Sequence, residues 1–392
     1  MLTQTTQTSE PARSDRTLRA LGWDHPRCMS PMRACATAWR RLGEASVDWD
    51  ARSLAAFGDE PLEALVRRYD ILVIDHPFCG TASTEGLLVP LDQLLAPELL
   101  DELHGSAIGP SQRSYAFAGH DWALAADAAC QVSALHPDGA AAEQPPVTWP
   151  QALALVRSLA GRSALPLAPA HALSSLLTLW AGAGLRPLDG GELVDSDRGL
   201  EQLEWLIEMH ALGHPSSTDW EPPKALEALT TGVIDYVPLT YGYVNYSAAS
   251  RPGPACRFVN IPGVAGSVLG GAGLAISVYS DLPNEAARFA AWVCGETTQR
   301  QIVAPTGGQP ASVACWHDPA LDRAAGGFYS ATRESLEAAW TRPRAPWWPS
   351  FQLQAGQLLT RGLKDREPAG RLLARLRSLH EHTPSRGAPE PI

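Results

Sequence analysis

The sequence lacks several features that would assign its function class directly. No apolar run approaches the roughly 18 residues that a membrane-spanning helix requires. Residues 1–15 are rich in Thr, Gln and Ser, without the apolar core of a secretory signal peptide. No Gly-x-Ser-x-Gly motif occurs, and no Ser or Cys has an evident base partner in the sequence. These absences favour a binding protein over an enzyme.

Positive charge is also scarce. The chain contains 31 Lys and Arg residues against 42 Asp and Glu residues, which gives a net charge of −11. Nucleic-acid binding depends on clustered Lys and Arg side chains that neutralise phosphates. Only the segment after Arg371 is locally basic, and a solvated terminal helix explains it. We therefore expect no nucleic-acid partner.

The cysteines form no recognisable framework. They are seven in number, odd and scattered, at positions 28, 35, 79, 130, 256, 294 and 315. Disulfide scaffolds and zinc sites show regular paired spacings, and no Cys-x-x-Cys pair occurs here. The pattern predicts buried free thiols, which favours a reducing compartment. We expect neither a metal nor a cofactor.

The first part of the chain predicts a β-α-β-α-β order. At 392 residues the chain is too long for one ordinary core, so we expect two domains of about 150–200 residues each. Ser30, ahead of Pro31, is the expected N-cap of the first helix. This order is typical of a doubly wound half-sheet. The pattern places strands and helices at 18–23, 29–41, 47–52, 61–68 and 71–75.

The remaining pattern predicts more helices than strands. Thr148 is the expected N-cap of one helix, ahead of Trp149 and Pro150. Strands are expected at 121–126 and 268–278, and helices at 148–159, 171–183, 196–212, 283–301, 330–340, 351–363 and 368–380. The sequence therefore predicts two α/β lobes, with the chain crossing between them more than once.

The strand at 71–75 points to a ligand site. Its apolar residues do not alternate with polar ones, which indicates a parallel strand buried on both faces. In an open α/β sheet, side chains just past the carboxyl end of such a strand line the ligand crevice. We therefore expect Asp75, His76 and Phe78 to meet a small molecule.

Four short motifs resemble one protein family. They are Asp-Trp-Ala-Leu at 121–124, Asn-Glu-Ala-Ala at 284–287, Gly-Gly-Gln-Pro at 307–310 and Arg-Pro-Arg-Ala-Pro at 342–346. Their order and spacing resemble the solute-binding components of bacterial ABC importers. Within these, the chain resembles extracellular solute-binding protein family 1, which contains maltose-binding and other sugar-binding proteins. The resemblance covers about 18–379, although the Pro that usually ends the first motif is replaced by Ala125.

The resemblance implies a two-lobe, type II periplasmic-binding-protein-like α/β fold. In that family two lobes close on a ligand by hinge bending, and the closed monomer docks on a membrane permease. One lobe would comprise 16–120 and 260–315, the other 121–259 and 316–385, with flexible tails at 1–15 and 386–392. The implied location is the periplasm, and the missing signal peptide keeps the cytoplasm open as an alternative.

Aromatic residues are candidates for stacking on a sugar ring. The chain has 13 Trp residues, of which Trp23, Trp122, Trp180, Trp347 and Trp348 fall at predicted strand ends or in loops. The segment 240–246 combines Tyr241, Tyr243 and Tyr246 with Asn245, which supplies uncharged donors and acceptors for hydroxyl groups. Packing into a core competes as an explanation for each aromatic residue, and a surface hairpin competes for this segment.

Two Asp-His-Pro sequences, at 24–26 and 75–77, follow predicted strands. Such pairs could bind zinc or form a catalytic dyad, but no Cys ligand spacing accompanies them. Hydrogen bonding to a ligand or strand-end capping is the favoured interpretation. Arg27 nearby could pair with an anionic ligand or lie on the surface.

The Gly-rich sequence at 269–274 lacks the Gly-x-Gly-x-x-Gly spacing of nucleotide loops and leads into a strand. Glycines at such a position let a ligand or another backbone approach closely. The turn at 307–310 is either a simple turn or a cleft edge.

The sequence thus predicts capture of a small polar molecule, most plausibly a carbohydrate, for an ABC-type importer. A cytosolic ligand sensor on the same fold, and an enzyme that uses the two Asp-His pairs, are the alternatives. The expected ligand contacts are Trp23, His25, Arg27, Asp75, His76, Phe78, Trp122, Trp180, Tyr241, Tyr243, Asn245, Gly271, Gln309 and Trp347.

Overall fold

The computed structural model describes residues 16–139, 143–188, 192–194 and 196–383. The tails predicted at 1–15 and 386–392 lie outside these residues. The first elements are β1 (Thr17–Trp23), α1 (Pro26–Arg41), β2 (Ser46–Arg52), α2 (Leu54–Asp59) and β3 (Ile71–Ile74). Strand β1 pairs in parallel with both β2 and β3, so the predicted β-α-β-α-β half-sheet is confirmed.

Two local predictions in this half-sheet were wrong. Helix α1 begins at Pro26, because the His25 side chain accepts a hydrogen bond from the Arg27 amide and acts as the N-cap in place of Ser30. The helix predicted at 61–68 is only a single turn at Leu62–Ala64. The preceding helix α2 was not predicted; Ser53 starts it by accepting a hydrogen bond from the Ala56 amide.

The remaining elements alternate less regularly. They are α3 (Cys79–Glu85), α4 (Pro97–Ser106), β4 (Ala116–Phe117), β5 (His120–Asp121), β6 (Leu124–Leu135), α5 (Trp149–Ser158), α6 (Pro169–Gly182), α7 (Ser196–Leu212), α8 (Pro222–Thr230), β7 (Tyr236–Tyr241), β8 (Arg257–Val259), β9 (Leu269–Ile276), α9 (Pro283–Cys294), α10 (Glu296–Thr298), α11 (Val313–Trp316), α12 (Pro319–Ala324), α13 (Phe328–Glu337), α14 (Trp348–Lys364) and α15 (Ala369–Glu381).

The single helix predicted at 283–301 is divided. Gly295 adopts an extended conformation that ends α9, and a π-helical turn at Gln299–Val303 follows α10. The Gln299 side chain is fully buried there, donates to the carbonyl oxygens of Ala126 and Val293, and accepts from the Ala311 amide. The break therefore lets one buried amide group satisfy three backbone groups.

One mixed sheet runs through both halves of the molecule. Its strand order is β2-β1-β3-β9-β6-β7, and β8 also pairs with β6. The first half of β6 pairs with β9, and its second half pairs with β7 and β8. Strands β6 and β9 therefore cross between a first lobe, built around β1 to β3, and a second lobe, built around β7 and β8.

Strand β6 is longer than the strand predicted at 121–126. All twelve of its residues are buried, including the polar Asp127, Gln131 and Ser133 that interrupt its apolar pattern. Each of these polar groups has a partner: the Gln131 amide donates to Ser175 Oγ at 3.2 Å, and Ser133 Oγ donates to the Pro238 carbonyl oxygen at 2.7 Å. Hydrogen-bond partners from distant segments therefore allow these polar residues to be buried in β6, which the local sequence pattern does not predict.

A third connection between the lobes follows α13. The Trp340 amide donates to the Ser267 carbonyl oxygen at 2.7 Å, and the Leu269 amide donates back to Trp340 at 2.8 Å. Farther along, Arg344 Nη1 donates to the Ala116 carbonyl oxygen at 2.7 Å, and its own carbonyl oxygen lies against Gly80 in α3. Segment 340–346 therefore touches both lobes. The lobe boundaries proposed from the sequence stay a prediction.

The cysteine prediction is confirmed. All seven cysteines are buried thiols, and none of them forms a disulfide bond. Burial raises the pKa of the Cys28, Cys35, Cys130 and Cys256 thiols to about 12, since a thiolate is poorly solvated inside the protein. These side chains act as small apolar residues.

Replacing Thr148 with alanine is expected to lower the free energy of unfolding by about 1 kcal/mol. Thr148 Oγ1 accepts from the Gln151 amide while Gln151 Oε1 accepts from the Thr148 amide, so the predicted cap is a reciprocal capping box. Urea denaturation measures the loss. Thr37→Ala is the control, since its exposed hydroxyl only donates within α1, and an equal loss in both variants would contradict the capping role.

Candidate ligand-binding site

A cavity lies where the two lobes meet, at the carboxyl ends of β1, β3 and β7. The space between its wall atoms is about 820 Å³ when the open solvent at its mouth is included, and about 120 Å³ of it can hold the centre of a water molecule. Its lining residues are Trp23, Arg27, Leu54, Ala55, Phe57, Gly58, Asp59, Asp75, Ala129, Ala168, Pro169, Ala170, His171, Ser174, Glu221, Tyr241, Tyr243, Gly270, Gly271, Arg342 and Gln352.

Part of the predicted contact set lines this cavity. Trp23 ends β1, Asp75 follows β3 and Tyr241 ends β7. All three side chains line the cavity, because these strand ends meet there. The residues brought together are Trp23, Arg27, Asp75, Tyr241, Tyr243 and Gly271. The residues that do not line it are His25, His76, Phe78, Trp122, Trp180, Asn245, Gln309 and Trp347.

Trp122, Trp180 and Phe78 belong to the hydrophobic core. The Trp122 indole donates to the Phe117 carbonyl oxygen at 2.9 Å, and the Trp180 indole donates to the Gly199 carbonyl oxygen at 2.9 Å. Both rings and Phe78 are buried among apolar side chains. Trp347 packs against Trp348, Phe351 and His380 instead of the cavity. The rings of all four are occupied by contacts within the protein, and none of them lines the cavity.

Asn245 and Gln309 hold backbone segments next to the cavity without lining it. Asn245 Nδ2 donates to the Gly307 carbonyl oxygen at 2.9 Å. Gln309 Nε2 donates to the Ala128 carbonyl oxygen at 2.8 Å, and Gln309 Oε1 accepts from the Val244 amide at 3.1 Å. These bonds tie the segment after β7 to the turn at 307–310 and to β6. The two side chains hold the backbone beneath Tyr243 and do not face the cavity.

The histidines of the two Asp-His pairs make their contacts within the protein. His25 caps α1 and packs edge-on against Tyr243, with 4.8 Å between ring centres. His76 is fully buried, and its Nδ1 lies 3.2 Å from Asp75 Oδ1. Burial, helped by nearby Arg27 for His25 and by Arg342 for His76, lowers the pKa of each imidazole to about 4. Both rings are therefore neutral at pH 7.

Two buried ion pairs form the polar part of the cavity. Arg27 Nε donates to Asp127 Oδ2 at 2.9 Å, a second bond joins Arg27 to the same carboxylate, and Arg27 Nη1 donates to the Gly242 carbonyl oxygen at 2.7 Å. Burial alone would lower the pKa of Arg27, but the Asp127 carboxylate outweighs it, and the pKa is raised. Arg27 also lies 4.7 Å from the Tyr243 ring centre. Arg27 therefore stays charged, joining α1 to the second lobe.

The second pair joins Arg342 to Asp75. Arg342 Nη2 donates to Asp75 Oδ2 at 2.7 Å and Oδ1 at 2.8 Å, while Nη1 donates to Gln352 Oε1 at 2.9 Å. Burial alone would raise the pKa of Asp75, but Arg342 outweighs it and lowers the pKa to about 2. Asp75, expected to hold ligand hydroxyls, is thus already committed to Arg342. The resemblance at 342–346 was the only sequence signal for this partner.

Aromatic and hydroxyl groups form the other walls. Trp23 and Phe57 pack together with 5.0 Å between ring centres. His171 meets Tyr241 edge-on at 6.0 Å, and the Tyr241 hydroxyl donates to Ser174 Oγ at 3.2 Å. Sequence reasoning missed Phe57, His171 and Ser174, because α2 was not predicted and nothing in the sequence of α6 indicates that its first two turns face the cleft.

Gly270 and Gly271 explain the Gly-rich sequence. A Cβ at Gly270 would lie 2.6 Å from a Tyr241 ring carbon. Gly271 has a φ of +104°, and a Cβ there would lie 2.4 Å from the Asp127 carbonyl oxygen. These glycines let β9 pass closely over β6 and Tyr241 at the cavity floor. They lie within a strand, so the close-approach interpretation holds and a phosphate loop does not form.

Two further searches of the described residues concern metals and membranes. Nowhere in 16–139, 143–188, 192–194 and 196–383 do three or more His, Cys, Asp or Glu side chains group to hold a metal ion. Over the same ranges, every helix is too short or too polar to cross a membrane.

Solved structures similar to this chain share its whole fold. An α-D-tagatose-bound solute-binding protein of Thermotoga lettingae TMO has a TM-score of 0.78 at 15% identity, covering 93% of this chain and 99% of that chain. A maltose-bound protein of T. maritima scores 0.76 at 14% identity, covering 93% and 99%. A ribitol complex from Agrobacterium radiobacter K84 scores 0.76 at 17%, covering 94% and 98%. The predicted two-lobe fold is confirmed.

Structural similarity at identities of 14%, 17% and 15% establishes the fold alone. Membership of a family must come from the comparison of sequences. No functionally curated protein matches the chain. The family model described as bacterial extracellular solute-binding protein matches residues 64–323, well over half of the chain. The family resemblance inferred from the motifs is confirmed, and the chain belongs to the bacterial extracellular solute-binding proteins.

Proposed function

We propose that this protein captures a sugar or polyol between its lobes and delivers it unchanged to the permease of an ABC importer. The observation that carries the proposal is the interlobe cavity itself, which combines aromatic faces with hydroxyl, amide and charged groups. Closure around such a ligand buries most of its surface, stacks rings against it and orients its hydroxyls. The similar structures described as bound to tagatose, maltose and ribitol support the same ligand class.

Binding without chemical change is favoured over catalysis. The enzyme alternative depends on His25 and His76 as bases, yet neither lines the cavity. His76 is fully buried, and His25 is occupied in capping α1. A general base must reach the proton that it removes. The Asp-His pairs therefore have a structural role next to the cavity.

The remaining parts of the proposal follow from family membership. We propose that the lobes comprise 16–120 with 260–315, and 121–259 with 316–385, and that they hinge about β6, β9 and segment 340–346. The protein would act outside the cytoplasmic membrane as a monomer. Fractionation of the native host separates this location from a cytosolic sensor, which would remain with the cytoplasmic fraction.

A thermal-shift screen of the purified chain tests the ligand class. Sugars such as maltose and tagatose, polyols such as ribitol, amino acids and carboxylates are tested separately. A ligand present at about 100 times its Kd stabilises the folded state by about 2.7 kcal/mol. We expect sugars or polyols to raise the melting temperature. A rise with amino acids or carboxylates alone, or consumption of a bound sugar, would overturn the proposal.

Replacing Trp23 with alanine is expected to weaken binding of the best sugar from that screen about tenfold or more. Trp23 lines the cavity beside Phe57, and its loss removes a stacking face. Isothermal titration calorimetry measures Kd. Trp49→Ala is the matched control, since Trp49 lies on β2 outside the cavity lining. Equal affinity in wild type and Trp23→Ala would remove Trp23 from the site.

A further inference from the structure

Two acidic residues line the cavity from different elements. Asp59 ends α2 in the first lobe, and Glu221 precedes α8 in the second. Both side chains are half-buried, and neither forms a hydrogen bond or ion pair with any residue that the structure describes. Burial raises the pKa of both carboxyls, and the nearby charge of Asp59 raises that of Glu221 further. The two carboxylates thus line one cavity, and the charge of Asp59 disfavours ionisation of Glu221.

The other charged groups of the cavity are already compensated. Arg27 is neutralised by Asp127, and Arg342 by Asp75. Burial, with a smaller effect of Arg342, lowers the pKa of His171 to about 4, so this imidazole is neutral at pH 7. Uncompensated charge in the lining is therefore negative and comes from Asp59 and Glu221. A bound cation would remove the repulsion between them.

A third group near these carboxylates lacks a partner. Tyr243 is only 3% exposed and lines the cavity, yet its hydroxyl makes no hydrogen bond with the described part of the chain. Burial raises the pKa of Tyr243, so the hydroxyl stays protonated and available to a ligand; nearby Asp127 and Glu221 contribute to the rise. The Trp23 and Phe57 rings line the same cavity, and Arg52 lies over the Phe57 ring at 5.6 Å from its centre. Aromatic faces beside carboxylates are the surroundings that favour an organic ammonium group.

We propose that the cavity selects sugars or polyols that carry a protonated amino group, held between Asp59 and Glu221. This inference rests on the proposed function and narrows its ligand class. The ammonium group supplies three donors to the two carboxylates, while the Tyr243 hydroxyl and Gln352 Nε2 remain for the ligand hydroxyls. A calcium ion fits less well, since it takes six to eight oxygen ligands and only two carboxylates are free here.

Matched pairs of ligands test the selection. The full chain is titrated in a calorimeter with D-glucosamine, D-glucose and N-acetyl-D-glucosamine, then with D-galactosamine and D-galactose, and with the glucosamine dimer and cellobiose. We expect at least one amine to bind about tenfold or more tightly than its neutral counterparts. Neutral sugars that bind as tightly as every amine would overturn this inference and leave the proposed function intact. Absence of binding by every sugar and polyol would overturn both.

Charge-neutral variants test the two carboxylates. Asp59→Asn and Glu221→Gln are each expected to weaken binding of the preferred amine about tenfold and to weaken binding of its neutral counterpart by a smaller factor. Glu63→Gln is the control, because Glu63 is exposed and outside the lining. The melting temperature of each ligand-free variant is measured alongside, and we expect it to be unchanged or raised. Unchanged amine affinity in both variants, or equal loss for amine and neutral ligand, would contradict the proposal.

Discussion

Replacing Arg342 with methionine is expected to destabilise the folded protein by about 3–5 kcal/mol. Arg342 and Asp75 are 5% and 7% exposed, and the substitution leaves the Asp75 carboxylate buried without its cation. The folded-state pKa of Asp75 is about 2, below its ordinary 3.8, so the pair stabilises the protein above about pH 4 and loses this effect as the pH falls towards 2. Urea denaturation at pH 7 therefore measures the full contribution.

Two comparisons isolate the buried charge as the cause. The double variant Asp75→Asn with Arg342→Met is expected to recover much of the loss, because it removes the unpaired carboxylate. Arg162→Met is the matched control. Arg162 also makes two hydrogen bonds to one carboxylate, from Nε and Nη2 to Asp235 at 2.7 Å each, but its side chain is 50% exposed. We expect little or no measurable loss there. Similar losses for Arg342→Met and Arg162→Met would contradict this account.

Replacing Gly80 with alanine is expected to destabilise the protein by about 3 kcal/mol, the upper end for overpacking. A Cβ at Gly80 would lie 1.9 Å from the Arg344 carbonyl oxygen, so backbone must move on one side of the contact. The contact joins α3 to segment 340–346, and the movement would also weaken ligand binding by displacing Arg342. Urea denaturation and calorimetry measure the two effects.

Gly105→Ala is the matched control for this substitution, and the opposite sign is expected. Gly105 lies within α4 and has no neighbouring atom within 4 Å of an added Cβ. Alanine in a helix is favoured over glycine, so we expect stabilisation of up to about 1 kcal/mol. A Gly80→Ala variant as stable as the wild type would show that α3 and segment 340–346 are not held together.

The sequence was informative where a local pattern determines the structure. The run at 71–75 predicted the buried strand β3, which is parallel to β1 as expected but antiparallel to β9. Thr148 with Gln151 marked the start of α5. The sequence was less informative where residues far apart in the chain determine the local structure. Asp127 made β6 appear to end early, because its partner Arg27 is 100 residues away along the chain. His25 could not be recognised as the N-cap of α1 from the common Ser and Asp preferences.

The cavity lining likewise contains residues that the sequence predicted and residues that only distant packing brings there. Trp23, Asp75 and Tyr241 were found because strand ends converge on one edge of the fold. Trp122 and Trp180 have equally suitable sequence positions, and only their buried indole contacts exclude them. Phe57, Asp59, Glu221 and Arg342 reach the cavity through packing between segments that are far apart in the chain. No local composition marks such residues.

The buried thiols have a consequence for how the protein is made. Since no cysteine pairs with another, the native state forms without an oxidant or a disulfide isomerase. Because the enclosed sulfur atoms hold their protons tightly, peroxides and soft metals find little reactive thiolate once the chain has folded. Maturation of this protein therefore requires no oxidising surroundings.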